Sequence, residues 1–131
     1  MKVIIIDSLV GTDREVHCPD GGFTSLRPIL ARDGMGFTVC KTIIPKGPPQ
    51  FWRYKHHLEA CYCLTGRGRL FDLSSMDESW IITPGSIYLV DGHEPHSFEA
   101  LEDTTLLSIF NPALSGDETH LNDGSYRKAP Q

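Results

Sequence analysis

An all-β sandwich or barrel in a single domain is the fold this sequence predicts. Apolar, β-branched runs of strand length recur at roughly ten-residue spacing. Clusters of Gly, Pro, Asp and Asn separate them, and no helical period persists for long. A chain of 131 residues fits one domain with a real core. Evenly spaced short strands are the mark of sandwiches and barrels.

Residues 2–6 are short and apolar and read as a first strand. A polar stretch, Gly11-Thr12-Asp13-Arg14-Glu15, and a firm turn signal, Pro19-Asp20-Gly21-Gly22, follow. Phe23 to Ala31 alternates loosely, with Phe23, Ser25, Arg27 and Ile29 on one side. After the turn at Asp33–Gly36, Phe37 to Ile44 sets Thr38, Cys40, Thr42 and Ile44 opposite Phe37, Val39, Lys41 and Ile43. The break Lys46-Gly47-Pro48-Pro49 precedes a central strand over His57 to Leu64, closed by Gly66-Arg67-Gly68. Further strands are expected at Arg69–Leu73, Ser79–Thr83, Ile87–Val90, Ser97–Ala100 and Thr104–Phe110, with a turn at Ser74–Glu78. Asn111-Pro112 ends the pattern, and the last twenty residues are polar and rich in turn formers.

Composition narrows the function classes. Hydrophobic residues at 40% and charged residues at 22% are ordinary for a globular protein. A net charge of −5 without a basic cluster argues against nucleic acid. The opening apolar run is too short for a signal peptide or a membrane span, and no other stretch approaches membrane length. Cys18, Cys40, Cys61 and Cys63 are therefore read as reduced thiols in a cytoplasmic protein.

The central strand carries an anomaly. With a period of two, His57, Glu59, Cys61 and Cys63 share one face, and Leu58, Ala60, Tyr62 and Leu64 the other. If the first face is buried, an imidazole and a carboxylate go inside with it, and such groups persist there only when paired or bound to a metal. Glu59, Tyr88 and His96 together form an oxygen and nitrogen donor set suited to iron or another divalent transition ion. The alternative is a core tyrosine, a satisfied turn histidine and an exposed acid. Zinc fits poorly, because no cysteine pair has finger spacing.

Pattern adds a resemblance. Glu59-x6-Gly66 after paired histidines resembles the first cupin motif, and Pro84-Gly85 followed by Gly92-x3-His96 resembles the second. More narrowly, the chain resembles ectoine synthases. The carriers are Tyr54-Lys55-His56-His57-Leu58-Glu59-Ala60, Pro84-Gly85-Ser86-Ile87-Tyr88, Phe110-Asn111-Pro112-Ala113-Leu114-Ser115-Gly116-Asp117-Glu118-Thr119-His120 and, more briefly, Asp33-Gly34-Met35-Gly36-Phe37. The resemblance implies a single cupin β-barrel of jelly-roll type over residues 1–131, with 115–131 a mobile tail or lid. It also implies a hydro-lyase that cyclises N-γ-acetyl-L-2,4-diaminobutyrate to ectoine, a compatible solute of osmotic stress. The implied metal is Fe(II), on Glu59, Tyr88 and His96. Catalytic positions fall on Tyr54, His57, Glu118 and His120, and substrate-binding positions on Phe23, Arg27, Cys40, Thr42 and Phe110.

Several positions depart from the family pattern: Phe23 stands where Trp is usual, Cys40 replaces a polar side chain, and Cys61 replaces a small aliphatic one. Arg67 and Arg69 occupy positions that tend to be acidic, and the loop from Lys46 to Trp52 places aromatics beside the first motif. Two alternatives remain: another iron-dependent cupin enzyme with a different small polar substrate, or a non-catalytic solute-binding cupin. A homodimer is expected, with the apolar N-terminal run as a candidate edge.

Overall fold

The computed structural model describes residues 1–75 and 78–128. Ten strands form two antiparallel sheets that pack face to face: β1 (Glu15–His17), β2 (Thr24–Ile29), β3 (Thr38–Ile44), β4 (Gln50–Trp52), β5 (Leu58–Thr65), β6 (Gly68–Asp72), β7 (Ser79–Ile82), β8 (Ile87–Val90), β9 (His96–Ala100) and β10 (Thr104–Asn111). One sheet runs β1-β2-β3-β10-β5-β8 and the other β4-β9-β6-β7. This is the jelly-roll barrel expected of a cupin.

Eight expected strands are present with ends shifted by a residue or two. Residues 2–6 are the exception. They make no strand, and the chain instead turns through a short 3₁₀ segment at Ile6–Leu9. Apolar content marked them, but the ladder partner of β2 is the polar Glu15–His17, which registers Glu15 against Leu26. The other addition is β4, whose three residues pair with β9 and are too few to show a period. The middle of the turn expected at Ser74–Glu78, residues 76–77, lies outside the described residues.

Alternation decides what faces the interior. Along β5, Glu59, Cys61 and Cys63 are buried, whereas Leu58, Tyr62 and Leu64 are exposed. The polar face of the strand is thus the inner one. Thr38, Cys40 and Ile44 of β3 also point in, joined by Leu106, Ser108 and Phe110 of β10. Register sets these groups in rows: Ser108 lies opposite Cys40 on one side and Cys61 on the other, and Cys61 lies opposite Tyr88. Phe98, fully buried, and Leu70 fill the core from the smaller sheet. All four cysteines are free thiols.

The tail has no regular strand, yet it is packed. Leu114 is fully buried, and its N–H donates to Thr38 Oγ1 at 2.8 Å while its carbonyl accepts from Ala31 N at 2.8 Å. Glu118, Ser125 and Tyr126 are also buried. No helix among the described residues is long and apolar enough to cross a membrane.

Candidate active site

Glu59 and Tyr88 enter the barrel from neighbouring strands of the larger sheet, and His96 enters from the start of β9 in the smaller one. All three are buried. The His96 ring is oriented by Nδ1–H donating to the Glu94 carbonyl at 2.9 Å, which leaves the Nε2 lone pair free. That nitrogen lies 4.0 Å from Glu59 Oε1. Glu59 Oε1, Tyr88 Oη and His96 Nε2 all lack a hydrogen-bond partner among the described residues. Buried polar atoms seldom go unpartnered, and here three do, on residues that enter the barrel from two sheets.

Burial pushes the Glu59 carboxyl up to about 8, the Tyr88 phenol well up and the His96 imidazole down. Each shift favours the neutral form, as a low-dielectric interior does. A divalent cation between them would reverse that preference by supplying the missing charge. The donor set therefore fits a metal: a carboxylate oxygen, a phenol oxygen and an imidazole nitrogen with its second nitrogen already held. No three His, Cys, Asp or Glu side chains among the described residues form a metal cluster, so a site here depends on the tyrosine as third donor.

A small chamber of about 20 Å³ adjoins Glu59 and Tyr88. Phe23, Cys40, Thr42 and Phe110 line it, as do Tyr54, Glu59, Tyr88 and His120. Burial raises the Cys40 thiol to about 11, so it stays a neutral, weak donor. Thr42 and Ser108 hydroxyls share a hydrogen bond at 3.1 Å.

The chamber is roofed by the tail. His120 lies between Trp52 and Tyr126, stacked at 5.3 Å and 4.6 Å between ring centroids, and Phe23 meets it edge-on at 5.2 Å. Its Nε2 shares a 2.8 Å hydrogen bond with Tyr54 Oη. Burial, helped by the nearby Arg27 cation, pushes the His120 imidazole down to about 3. His120 is therefore neutral near pH 7.

Arg27, His57 and Glu118 stand behind this lining. Arg27 is fully buried. It donates through Nε to Ser25 Oγ at 3.0 Å, through Nη1 to the Gly116 carbonyl at 3.1 Å and through Nη2 to the Glu118 carbonyl at 2.8 Å. The Glu118 carboxylate accepts from Ser115 N at 2.7 Å and Gly116 N at 2.6 Å, and it lies 3.8 Å from Arg27 Nη1. Both residues thus hold the tail loop in this arrangement. His57 is buried against the edges of Phe110 and Tyr126, with neither ring nitrogen partnered among the described residues. Cys61, one of the family departures, also lines the chamber; sequence reasoning missed Tyr126, Ser25 and Ser108 as lining residues, together with Trp52. Inward alternation marks Ser25 and Ser108. Trp52 is buried while Phe51 beside it is exposed, and nothing local marks Tyr126.

Comparison with known proteins bears on this arrangement. Residues 1–130 match the sequence model of the family described as Ectoine synthase. The L-ectoine synthase of Desulfatibacillum aliphaticivorans is 41% identical over 126 residues, covering 96% of each chain. The chain belongs to the ectoine synthase family. The L-ectoine synthase of Wolinella succinogenes is 40% identical over 120 residues, covering 92% of this chain and 91% of its own. The crystal structure of ectoine synthase from P. lautus superposes with a TM-score of 0.82 at 34% identity, over 88% of this chain and 81% of that one. A predicted oxalate decarboxylase from Thermotoga maritima, at 20% identity and a TM-score of 0.58 over 69% of this chain and 80% of that one, shares the barrel alone. Ectoine synthase ancestry and cupin architecture therefore agree along the described chain.

Proposed function

We propose that this chain is an ectoine synthase: a hydro-lyase that closes N-γ-acetyl-L-2,4-diaminobutyrate into ectoine, with Fe(II) held by Glu59, Tyr88 and His96. The observation that carries the reading is the set of three buried, unpartnered donor atoms on those residues, two of them 4.0 Å apart, in a chain of this family. A bound divalent ion would supply Lewis acidity for the amide carbonyl.

In the reaction the α-nitrogen bonds to the amide carbon, the carbon–oxygen bond breaks, and the oxygen leaves as water with two protons from the nitrogens. This chain supplies the surroundings. The aromatic roof of Trp52, His120 and Tyr126 excludes bulk water, which favours a step that releases water. The neutral Tyr54–His120 pair can take a proton from the attacking amine and return one to the departing hydroxyl. Once the tail shifts to enlarge the chamber, Phe23 and Phe110 confine the folded substrate so that amine and carbonyl meet. Arg27, with three of its five N–H donors identified above, retains capacity for the substrate carboxylate.

The tail from 115 onward acts as a lid, supported by its burial over the chamber and its tether to Arg27; residues 129–131 lie outside the described residues. Removing residues from Asp117 onward should abolish turnover and leave a folded barrel. The protein works in the cytoplasm in compatible-solute synthesis during osmotic stress, and it binds neither nucleic acid nor membrane. It acts as a homodimer, a reading supported by the exposed apolar residues Val3 and Ile5 and by edge strand β8 with Ile87 and Leu89 exposed.

Anaerobic reconstitution with Fe(II) and detection of cyclised product tests the proposal. Product should require iron and disappear in both Glu59→Ala and His96→Ala. Product formed without any divalent metal would overturn the site assignment, and iron binding without product would overturn the substrate.

A further inference from the structure

A second and larger cavity, about 600 Å³, opens outside the chamber. Three segments wall it: the turn Cys18–Gly22, the loop between β3 and β4 continuing through β4 itself, and the tail from His120 to Gly124. The walls are tied together. Asp20 Oδ1 accepts from Gly22 N at 2.8 Å and from Cys18 Sγ at 2.9 Å, and Gln50 Nε2 donates to the Gly22 carbonyl at 2.5 Å. The Arg53 N–H donates to the Gly124 carbonyl at 3.0 Å, which joins the tail to the end of β4. The cavity is therefore preformed.

Size separates the roles of the two spaces. The inner chamber, at about 20 Å³, has room for about one water molecule. The outer cavity lies within the ~300–1,000 Å³ usual for small-molecule sites. Trp52 and His120 line both, so they form the partition. With the tail in this position an amino-acid substrate fits only on the outer side of that partition.

Charge indicates what the outer space would hold. Its lining includes one carboxylate, Asp20, and one ammonium, Lys46. Among the described residues Asp20 Oδ2 accepts no hydrogen bond and Lys46 Nζ makes neither a hydrogen bond nor an ion pair; the Lys46 bond to Asp103 uses its backbone N–H. One free group of each sign in one preformed cavity suits a zwitterion. The loop that carries Lys46, which the central strand leaves without a purpose, acquires one here.

We propose that this cavity is an outer binding subsite for a zwitterionic α-amino acid, with Asp20 facing its ammonium group and Lys46 its carboxylate, from which the ligand passes the Trp52–His120 partition into the chamber. Naming the ligand as N-γ-acetyl-L-2,4-diaminobutyrate rests on the ectoine synthase reading.

Cys18 makes the subsite measurable. It lines the cavity and is the one cysteine of the four that is not buried. The full-length protein is treated with a methanethiosulfonate reagent, and modification of Cys18 is timed by mass spectrometry with and without N-γ-acetyl-L-2,4-diaminobutyrate. Substrate should slow labelling at least fivefold in a saturable way, and the methyl ester of the same compound should protect far less. In the Asp20→Asn, Lys46→Gln double variant protection should vanish, and KM should rise about tenfold while kcat holds. Turnover by the iron-loaded protein with unprotected Cys18 at saturating substrate would overturn the subsite and leave the synthase reading intact. Saturable protection in a protein that forms no product would support the subsite and remove the synthase reading.

Discussion

Replacing Gly124 with Ala should lift the tail from the barrel while leaving the barrel folded. Gly124 has a φ of 82°, a left-handed conformation that costs an L-residue about 1–2 kcal/mol. An added Cβ would also sit 2.9 Å from Phe51 O, 2.9 Å from Trp52 Cα and 3.0 Å from Arg53 N. These are backbone atoms of the paired strand β4 and of the residue that follows it and cannot step aside, so overpacking adds about 1–3 kcal/mol. A total of about 3 kcal/mol shifts the ratio of undocked to docked tail on the order of a hundredfold. Hydrogen exchange followed by mass spectrometry reads this directly. Amides bonded within the tail, Gly124 N to Leu121 O and Leu121 N to Ser125 O, should exchange on the order of a hundredfold faster. Those of β5 and β10 should not change. Gly11→Ala is the control: its φ is 80° with nothing within 4 Å of the new Cβ, so it carries the backbone cost without the collision. Unchanged tail exchange in Gly124→Ala, or equal acceleration in the control, would refute the argument that this close approach seats the tail.

Asp33→Asn should destabilise the fold by about 2 kcal/mol at neutral pH. Asp33 accepts a bidentate pair from Arg14 at 2.8 Å and 2.9 Å and a bond from Leu30 N at 2.8 Å, which hold its carboxyl down at about 2. Because the folded value is depressed, this contribution is present above the unfolded value near ~4 and lost as pH falls to about 2. Thermal melts of wild type and variant should therefore converge at low pH. Thr38→Val should cost about 1–3 kcal/mol in thermal denaturation, since the buried Leu114 N–H loses its acceptor at the base of the tail. Tyr88→Phe should leave the metal-free protein as stable or up to about 1 kcal/mol more stable, because the phenol oxygen is buried without a partner. The same change should weaken Fe(II) binding at least tenfold by titration.

Much of the barrel was legible in the chain because strand alternation is local. The period-two pattern of Leu58–Thr65 assigned Glu59, Cys61 and Cys63 to one face, and the structure buries that face. The strand also shows where local hydrophobicity misleads: Leu58, Tyr62 and Leu64 are the exposed side, and the apolar residues 2–6 join no ladder among the described residues while polar Glu15–His17 takes the place beside β2. Strand pairing depends on which backbone comes alongside, and apolar content does not specify that.

By itself, then, the sequence determined the class of fold, the two faces of the central strand and, through its motifs, the family. Only the tertiary structure decided how the site is closed. Tyr54 meets His120 from 66 residues away, Arg27 meets the Glu118 carbonyl from 91, and His120 settles between Trp52 and Tyr126. Such contacts leave no period in the chain, because they arise from side chains of three segments filling one space above the barrel. Alternation fixes the direction of a side chain within its own strand; packing across the mouth depends on where the tail comes to rest.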